Sequence, residues 1–180
     1  MTTDNNKKAR TKMLYSVAIF WMAVVSMAVP ANAQITVGGH VGFVIPWVTH
    51  ANGNTNTVFD NFAIGFPFGV TFKGQGRFAV DFEFVPSIST NPHEVTLTVD
   101  PGILWRLEHG FTTGVRIAFD VNSSRIGFIP LLNKSWKFKD QSHFFKAYFV
   151  EADLPVKFDR PTGGPATNSV TFATHFGLGF

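Results

Sequence analysis

Twelve ionisable side chains share one parity of an alternating pattern: His40, Asp81, Glu83, Asp100, Arg106, Arg116, Asp120, Lys137, Glu151, Asp153, Lys157 and His175. Acids and bases are near balance in this set. Desolvated charges persist only when paired and hydrogen-bonded, so the first reading is a salt-bridge plug inside a narrow interior. The second is a narrow polar path for protons, small ions or water. His40 and His175 form the sharpest local pair. If the first and last strands align Ile35 with Phe180, the two imidazoles stand opposite each other. There they can titrate near neutral pH or hold a metal. The sequence offers no evident third ligand, so two histidines satisfied by nearby carboxylates are preferred, and no metal or cofactor is expected.

Catalysis would require a nucleophile, a base within hydrogen-bond reach and a group that orients the base. The other face offers Thr113, Thr174, Lys134 and Lys146, with no strand histidine beside a serine. Ser142 and His143 fall in an expected turn, and His50 and His93 in loops, where polar residues are ordinarily solvated. No cysteine is present, so neither disulfides nor thiolate metal sites arise. No glycine-rich phosphate loop follows a strand and opens a helix. The chain is expected not to be an enzyme.

These side chains need elements to hold them, and apolar residues at every second position supply β-strands. Ile35, Val37, Val41, Phe43 and Ile45 begin the series; Phe62, Ile64, Phe66, Phe68, Val70 and Phe72 continue it. Further rows run through Phe78 to Phe84, Val95 to Leu107, Phe111 to Val121, Ile126 to Phe138, Phe144 to Phe158, and Val170 to Phe180. Opposite each bulky row lies a row of glycine, small or charged residues. A soluble sandwich buries its bulk and exposes its charge. An outer-membrane barrel turns bulk toward lipid and charge toward a narrow lumen, on strands of about 9 to 11 residues. The expected fold is all-β: a closed antiparallel up-and-down transmembrane β-barrel of about eight strands, because a sheet in lipid has to pair every backbone group.

Connections are expected at Pro46 to Asp60, Lys73 to Gly76, Ser87 to Glu94, Glu108 to Gly110, Asn122 to Arg125, Lys139 to Ser142 and Asp159 to Asn168. The odd ones are mostly long and the even ones short, which puts the odd ones outside the cell. In the first of them, Trp47 and Phe59 are candidates for anchoring a mobile Asn- and Gly-rich loop at the membrane interface, or for recognition. Pro67, Pro101, Pro130 and Pro155 fall inside expected strands, where a missing N–H calls for a bulge or a strand end. Asp100-Pro101-Gly102 reads as a turn signal, but a turn would leave two pieces too short to cross. A bulge is preferred there.

The N-terminus carries Lys7, Lys8, Arg10 and Lys12, an apolar stretch from Met13 to Val29, and small residues through Ala33. This reads as an export signal over 1–33, cleaved before Gln34, with the barrel domain over 34–180. Four of the 15 Lys and Arg lie in that segment, and one of the 12 Asp and Glu, so the net charge of +3 leaves with it. No basic face remains for nucleic acid.

The closing segment from Val170 to Phe180 places Phe176, Leu178 and Phe180 at alternate positions up to the terminal residue. With the strand pattern, it resembles the small OmpA/OmpX-type barrels of the Gram-negative outer membrane. The likeness extends over Gln34 to Phe180 as architecture. It implies outer-membrane localisation, lipid contact, and reading of Phe176, Leu178 and Phe180 as a signal by the barrel-assembly machinery. It implies no activity and no oligomeric state. Eight strands enclose an interior that side chains just fill. The leading expectation is therefore a structural or surface-interaction protein with a plugged lumen. A narrow porin-like channel for small or hydrophobic solutes is the alternative, and a lipid-modifying enzyme the third.

Overall fold

Alternation dominates the residues that the computed structural model describes, 34–121 and 123–180, and every regular element among them is a strand. The expected export signal lies outside the described residues, as does Asn122. Eleven strands follow in order: β1 (Thr36–Ala51), β2 (Asn54–Thr57), β3 (Ala63–Gly65), β4 (Phe68–Lys73), β5 (Phe78–Thr90), β6 (His93–Arg106), β7 (Phe111–Asp120), β8 (Arg125–Lys137), β9 (Ala147–Asp153), β10 (Val156–Asp159) and β11 (Thr167–Gly179).

Every pairing is antiparallel. β3 and β4 share one position between β1 and β5, and β9 and β10 share another between β8 and β11. With β5, β6, β7 and β8 in sequence and β11 paired back to β1, the strands form a ring of eight positions. β2 folds back on the end of β1 outside that count.

Prolines decide where the ring is interrupted. Pro67 separates β3 from β4, and Pro155 separates β9 from β10. Their carbonyls still accept, from the Gly42 N–H at 3.0 Å and the Thr171 N–H at 2.9 Å, so neighbouring strands stay tied across each gap. Pro101 and Pro130 lie within β6 and β8. The bulge expected at Asp100–Gly102 is absent: β6 holds one register through Phe82↔Pro101 on one side, and through Val99↔Phe119 and Gly102↔Arg116 on the other. A bulge occurs instead in β1, where the register with β11 shifts between Pro46 and Val48. It leaves both Trp47 and Val48 facing outward and so reverses the parity of the last turns of β1.

Two expected loops are largely strand. β1 runs on to Ala51, and Asn52-Gly53, both at positive φ, turns it tightly into β2. Beyond β2, the Asp60 carboxylate accepts from the Thr57 N–H at 2.8 Å and from the Thr57 hydroxyl at 2.7 Å, closing the segment that carries Phe59. The segment expected as the loop Ser87 to Glu94 is a hairpin in which Thr90 faces His93.

Burial is inverted relative to a soluble sheet. Phe66, Phe68, Phe72, Phe82, Phe84, Phe119, Phe128 and Phe172 are exposed around the ring, while Asp81, Glu83, Asp100, Arg116, Glu151 and Asp153 are buried inside it. At the seam, Gly39 and Phe180 exchange both backbone hydrogen bonds at 2.9 Å, and the Phe180 ring stacks on Phe144 at 4.6 Å. Phe176 stacks on Phe43 across the same seam at 5.3 Å.

Candidate functional site

Inward parity brings one guanidinium among carboxylates from two other strands. Arg116 of β7 reaches Asp81 with Nε at 2.9 Å and Glu83 with Nη2 at 3.3 Å, both on β5, and Glu151 of β9 with Nη1 at 2.7 Å. Each carboxylate has a further partner: the Thr71 hydroxyl donates to Asp81 at 2.6 Å, Asn133 Nδ2 to Glu151 at 3.0 Å, and His40 Nε2 lies 2.6 Å from Glu83. His175 Nδ1 lies 3.6 Å from Glu151. This layer forms a floor across the lumen.

The floor closes because small residues make room for large ones. His40 packs over Gly69, where a Cβ would come within 2.4 Å of the imidazole, and the Arg116 stem packs over Gly102, where a Cβ would come within 2.6 Å. Phe149 completes the filling, edge-on to His175 at 4.9 Å and to His40 at 5.9 Å. Parity in the sequence places Phe149, two residues before Glu151, on the inner face, but an apolar side chain carries no mark of an interior otherwise signalled by charge.

Toward the end opposite Phe180, a second layer forms around Asp120. It accepts from the Thr98 hydroxyl at 2.7 Å and pairs with Lys157 at 2.6 Å and Arg125 at 3.3 Å. Of the twelve residues expected inside, nine are buried: His40, Asp81, Glu83, Asp100, Arg116, Asp120, Glu151, Asp153 and His175. Lys157 is half-buried on Asp120, and Arg106 is half-buried, donating to the carbonyls of Gly74 and Gly76. Lys137 is exposed at its strand end. Arg125, absent from the expected set, belongs to the network because its strand starts where Asp120 of β7 ends.

The histidines do not face each other in the ladder. The seam register sets His40 opposite Gly179 and His175 opposite Val44, not Ile35 opposite Phe180. Their rings are nonetheless 5.9 Å apart, because both project into so narrow an interior. Each also has the nearby carboxylates expected from the sequence, whose identity only the fold supplies. His40 with Asp81 and Glu83, and His175 with Glu151 and Asp153, place potential ligand atoms within 4.8 Å of one another.

Above the floor lies a cavity of about 310 Å³. Val44, Pro46, Ala63, Val85, Ile129 and Ala173 give it apolar walls. Glu83, Asp100, Arg116, Asp153 and His175 form its base, and Thr49, Ser87, Arg125, Lys157 and Ser169 line it toward the far end of the strands. Three buried polar atoms lack a hydrogen-bond partner among the described residues: Asp100 Oδ1, Asp153 Oδ1 and His175 Nε2. All three residues line this cavity.

The catalytic candidates remain apart. His143 pairs with Asp140 at 3.2 Å, not with Ser142, and both are exposed. His50 Nδ1 and the Thr55 hydroxyl are 2.9 Å apart in the exposed β1–β2 hairpin, and no carboxylate among the described residues pairs with the imidazole. Thr113 donates to the Leu131 carbonyl at 2.9 Å, and Thr174 accepts from Trp47 Nε1 at 2.7 Å. Lys134 lies over the Phe111 ring at 4.3 Å. Trp47 is thus fixed on the wall, whereas Phe59 is 95% exposed in the loop beyond β2.

No protein-family model and no curated protein matches the sequence. Among solved structures, the chain is similar to the outer membrane protein OprG from Pseudomonas aeruginosa at 12% identity and a TM-score of 0.38, covering 82% of this chain and 96% of that one.

Proposed function

We propose that the ring is a closed transmembrane barrel of a bacterial outer membrane, exported by a signal over residues 1–33, and that it admits small solutes from its outer mouth. The observation that carries the solute reading is the cavity of about 310 Å³, apolar at its walls and charged at its base. A lumen filled only to plug itself would leave no such space, since eight strands enclose little more than their own side chains. Membrane placement draws support from the inverted burial. Exposed apolar side chains, phenylalanine foremost, on strand after strand around the ring exceed the scattered apolar patches that water-soluble monomers carry. Phe176, Leu178 and Phe180, beside the seam, are the segment proposed to be read by the assembly machinery.

The Arg116 floor favours a second reading, a wall or surface-contact protein whose lumen is sealed. Three carboxylates on one guanidinium oppose passage of anything that cannot displace them. The protein is read as non-enzymatic in either case, because no nucleophile, base and orienting acid come together among the described residues.

Conductance across a planar bilayer, with swelling of vesicles in small uncharged and charged solutes, separates the two readings. Solute flux or discrete openings altered by Arg116→Gln support admission through the lumen. A silent bilayer and impermeable vesicles that contain correctly folded barrel leave the sealed wall protein.

A further inference from the structure

We propose that the cavity receives a small organic ammonium ion with a short apolar body, its charged head on Asp100 or Asp153. The inference rests on the solute-admitting reading above and names the class of solute.

Charge bookkeeping inside the lumen leads to it. Three cationic side chains line the cavity, and each is already held elsewhere: Arg116 by Asp81, Glu83 and Glu151, and Lys157 and Arg125 by Asp120. Asp100 and Asp153 make no ion pair within 4.0 Å among the described residues, although they are only 2% and 6% exposed. One oxygen of each has no hydrogen-bond donor among the described residues. A buried carboxylate without a cation costs stability, and these two border the cavity, Asp153 beside the carboxyl of Glu151. A donor from outside the chain satisfies both the chemistry and the volume.

The walls select among cations. A bare divalent ion beside Asp153 would need Glu151 and His175 as further ligands, but the nearer Glu151 oxygen is already taken at 2.7 Å by the Arg116 guanidinium. The cavity is also much larger than one ion, and Val44, Pro46, Val85, Ile129 and Ala173 offer no oxygen to complete a coordination shell. An ammonium head supplies directed N–H donors, and its hydrocarbon tail takes the apolar walls out of contact with water. An anion would meet unpaired carboxylates at the base.

Titration calorimetry on the protein purified in detergent micelles tests this with n-hexylammonium, hexanoate, 1-hexanol, zinc and magnesium. The expected result is saturable binding of n-hexylammonium, with hexanoate and 1-hexanol weaker by at least tenfold, about 1.4 kcal/mol. Asp100→Asn or Asp153→Asn, shown to be folded by unheated gel migration, should weaken the ammonium by a similar factor. The ligand series on the unaltered protein decides the matter even where a variant does not fold. Equal binding of 1-hexanol, preference for hexanoate, or binding of zinc or magnesium without n-hexylammonium overturns the proposal. Flux of uncharged solutes without ammonium binding removes this inference and leaves the solute-admitting reading. Ammonium binding with no flux of any solute does the reverse.

Discussion

The imidazole of His40 occupies the space above Gly69 that a side chain would fill, with Cε1 only 2.4 Å from the place of a Cβ there. His40 is also held by Glu83 at 2.6 Å, so the ring cannot step aside without giving up its partner. Gly69→Ala is expected to cost about 1–3 kcal/mol through overpacking. Urea unfolding followed by the shift of the unheated band on a gel measures this. An unchanged midpoint would show that the lumen is looser than the packing requires.

Arg116 is the most consequential charge. Arg116→Met leaves Asp81, Glu83 and Glu151 buried without their cation and is expected to cost about 3–5 kcal/mol. Neutralising those three as Asn, Gln and Gln in the same chain should restore much of the loss, because the penalty lies in the unpaired carboxylates. The same unfolding assay checks it; a combined variant no better than Arg116→Met contradicts the pairing argument.

Outward aromatics should answer to depth. Phe82→Arg places a charge on the outer wall between the ends of β5 and is expected to destabilise by about 2–4 kcal/mol if it lies near the bilayer midplane. Phe59→Arg, in the exposed loop, should change stability by less than about 0.5 kcal/mol. Equal effects in vesicle-inserted protein would deny that the two positions meet different solvents. Spin labels offer a direct check, with Phe66, Phe82 and Phe119 expected to report hydrocarbon.

Acid should loosen the segment after β2. The Thr57 N–H and hydroxyl hold the Asp60 carboxyl below its ordinary value of 3.8. A depressed folded value means that the contribution is present above the unfolded value and is lost as pH falls through the folded one. The Thr57 amide is therefore expected to stay protected from exchange at neutral pH and to lose protection only as pH falls below 3.8. Asp60→Asn should flatten that dependence; a Thr57 amide whose protection ignores pH between 6 and 2 contradicts it.

Parity was legible in the sequence because one face had to be bulky and the other small or charged, and a single apolar or polar residue reports its face unaided. Register was not. The relation of His40 to His175 depends on stagger across the seam, and no residue in β1 or β11 announces that Gly39, not Ile35, meets Phe180. Prolines were visible but ambiguous. A missing N–H breaks a strand only where its neighbours cannot continue, as at Pro67 and Pro155, and Pro101 shows that a strand can pass one by in register. The first loop misled because Asn and Gly mark both mobile chain and tight hairpins, and only the ladder from Val48 to Ala51 with β2 decides for the hairpin. The cavity was not legible at all, since a void is fixed by the relative heights of side chains on separate strands.

Arg116 stands on the fifth wall position, and its acidic partners stand on the third and the seventh, which are diametrically opposed in a ring of eight. One side chain therefore works as a cross-brace for half the circumference. In the membrane placement proposed above, a cylinder tied in this way is expected to resist being squeezed into an oval by the lateral pressure of surrounding acyl chains. The same tie that obstructs the bore keeps it round.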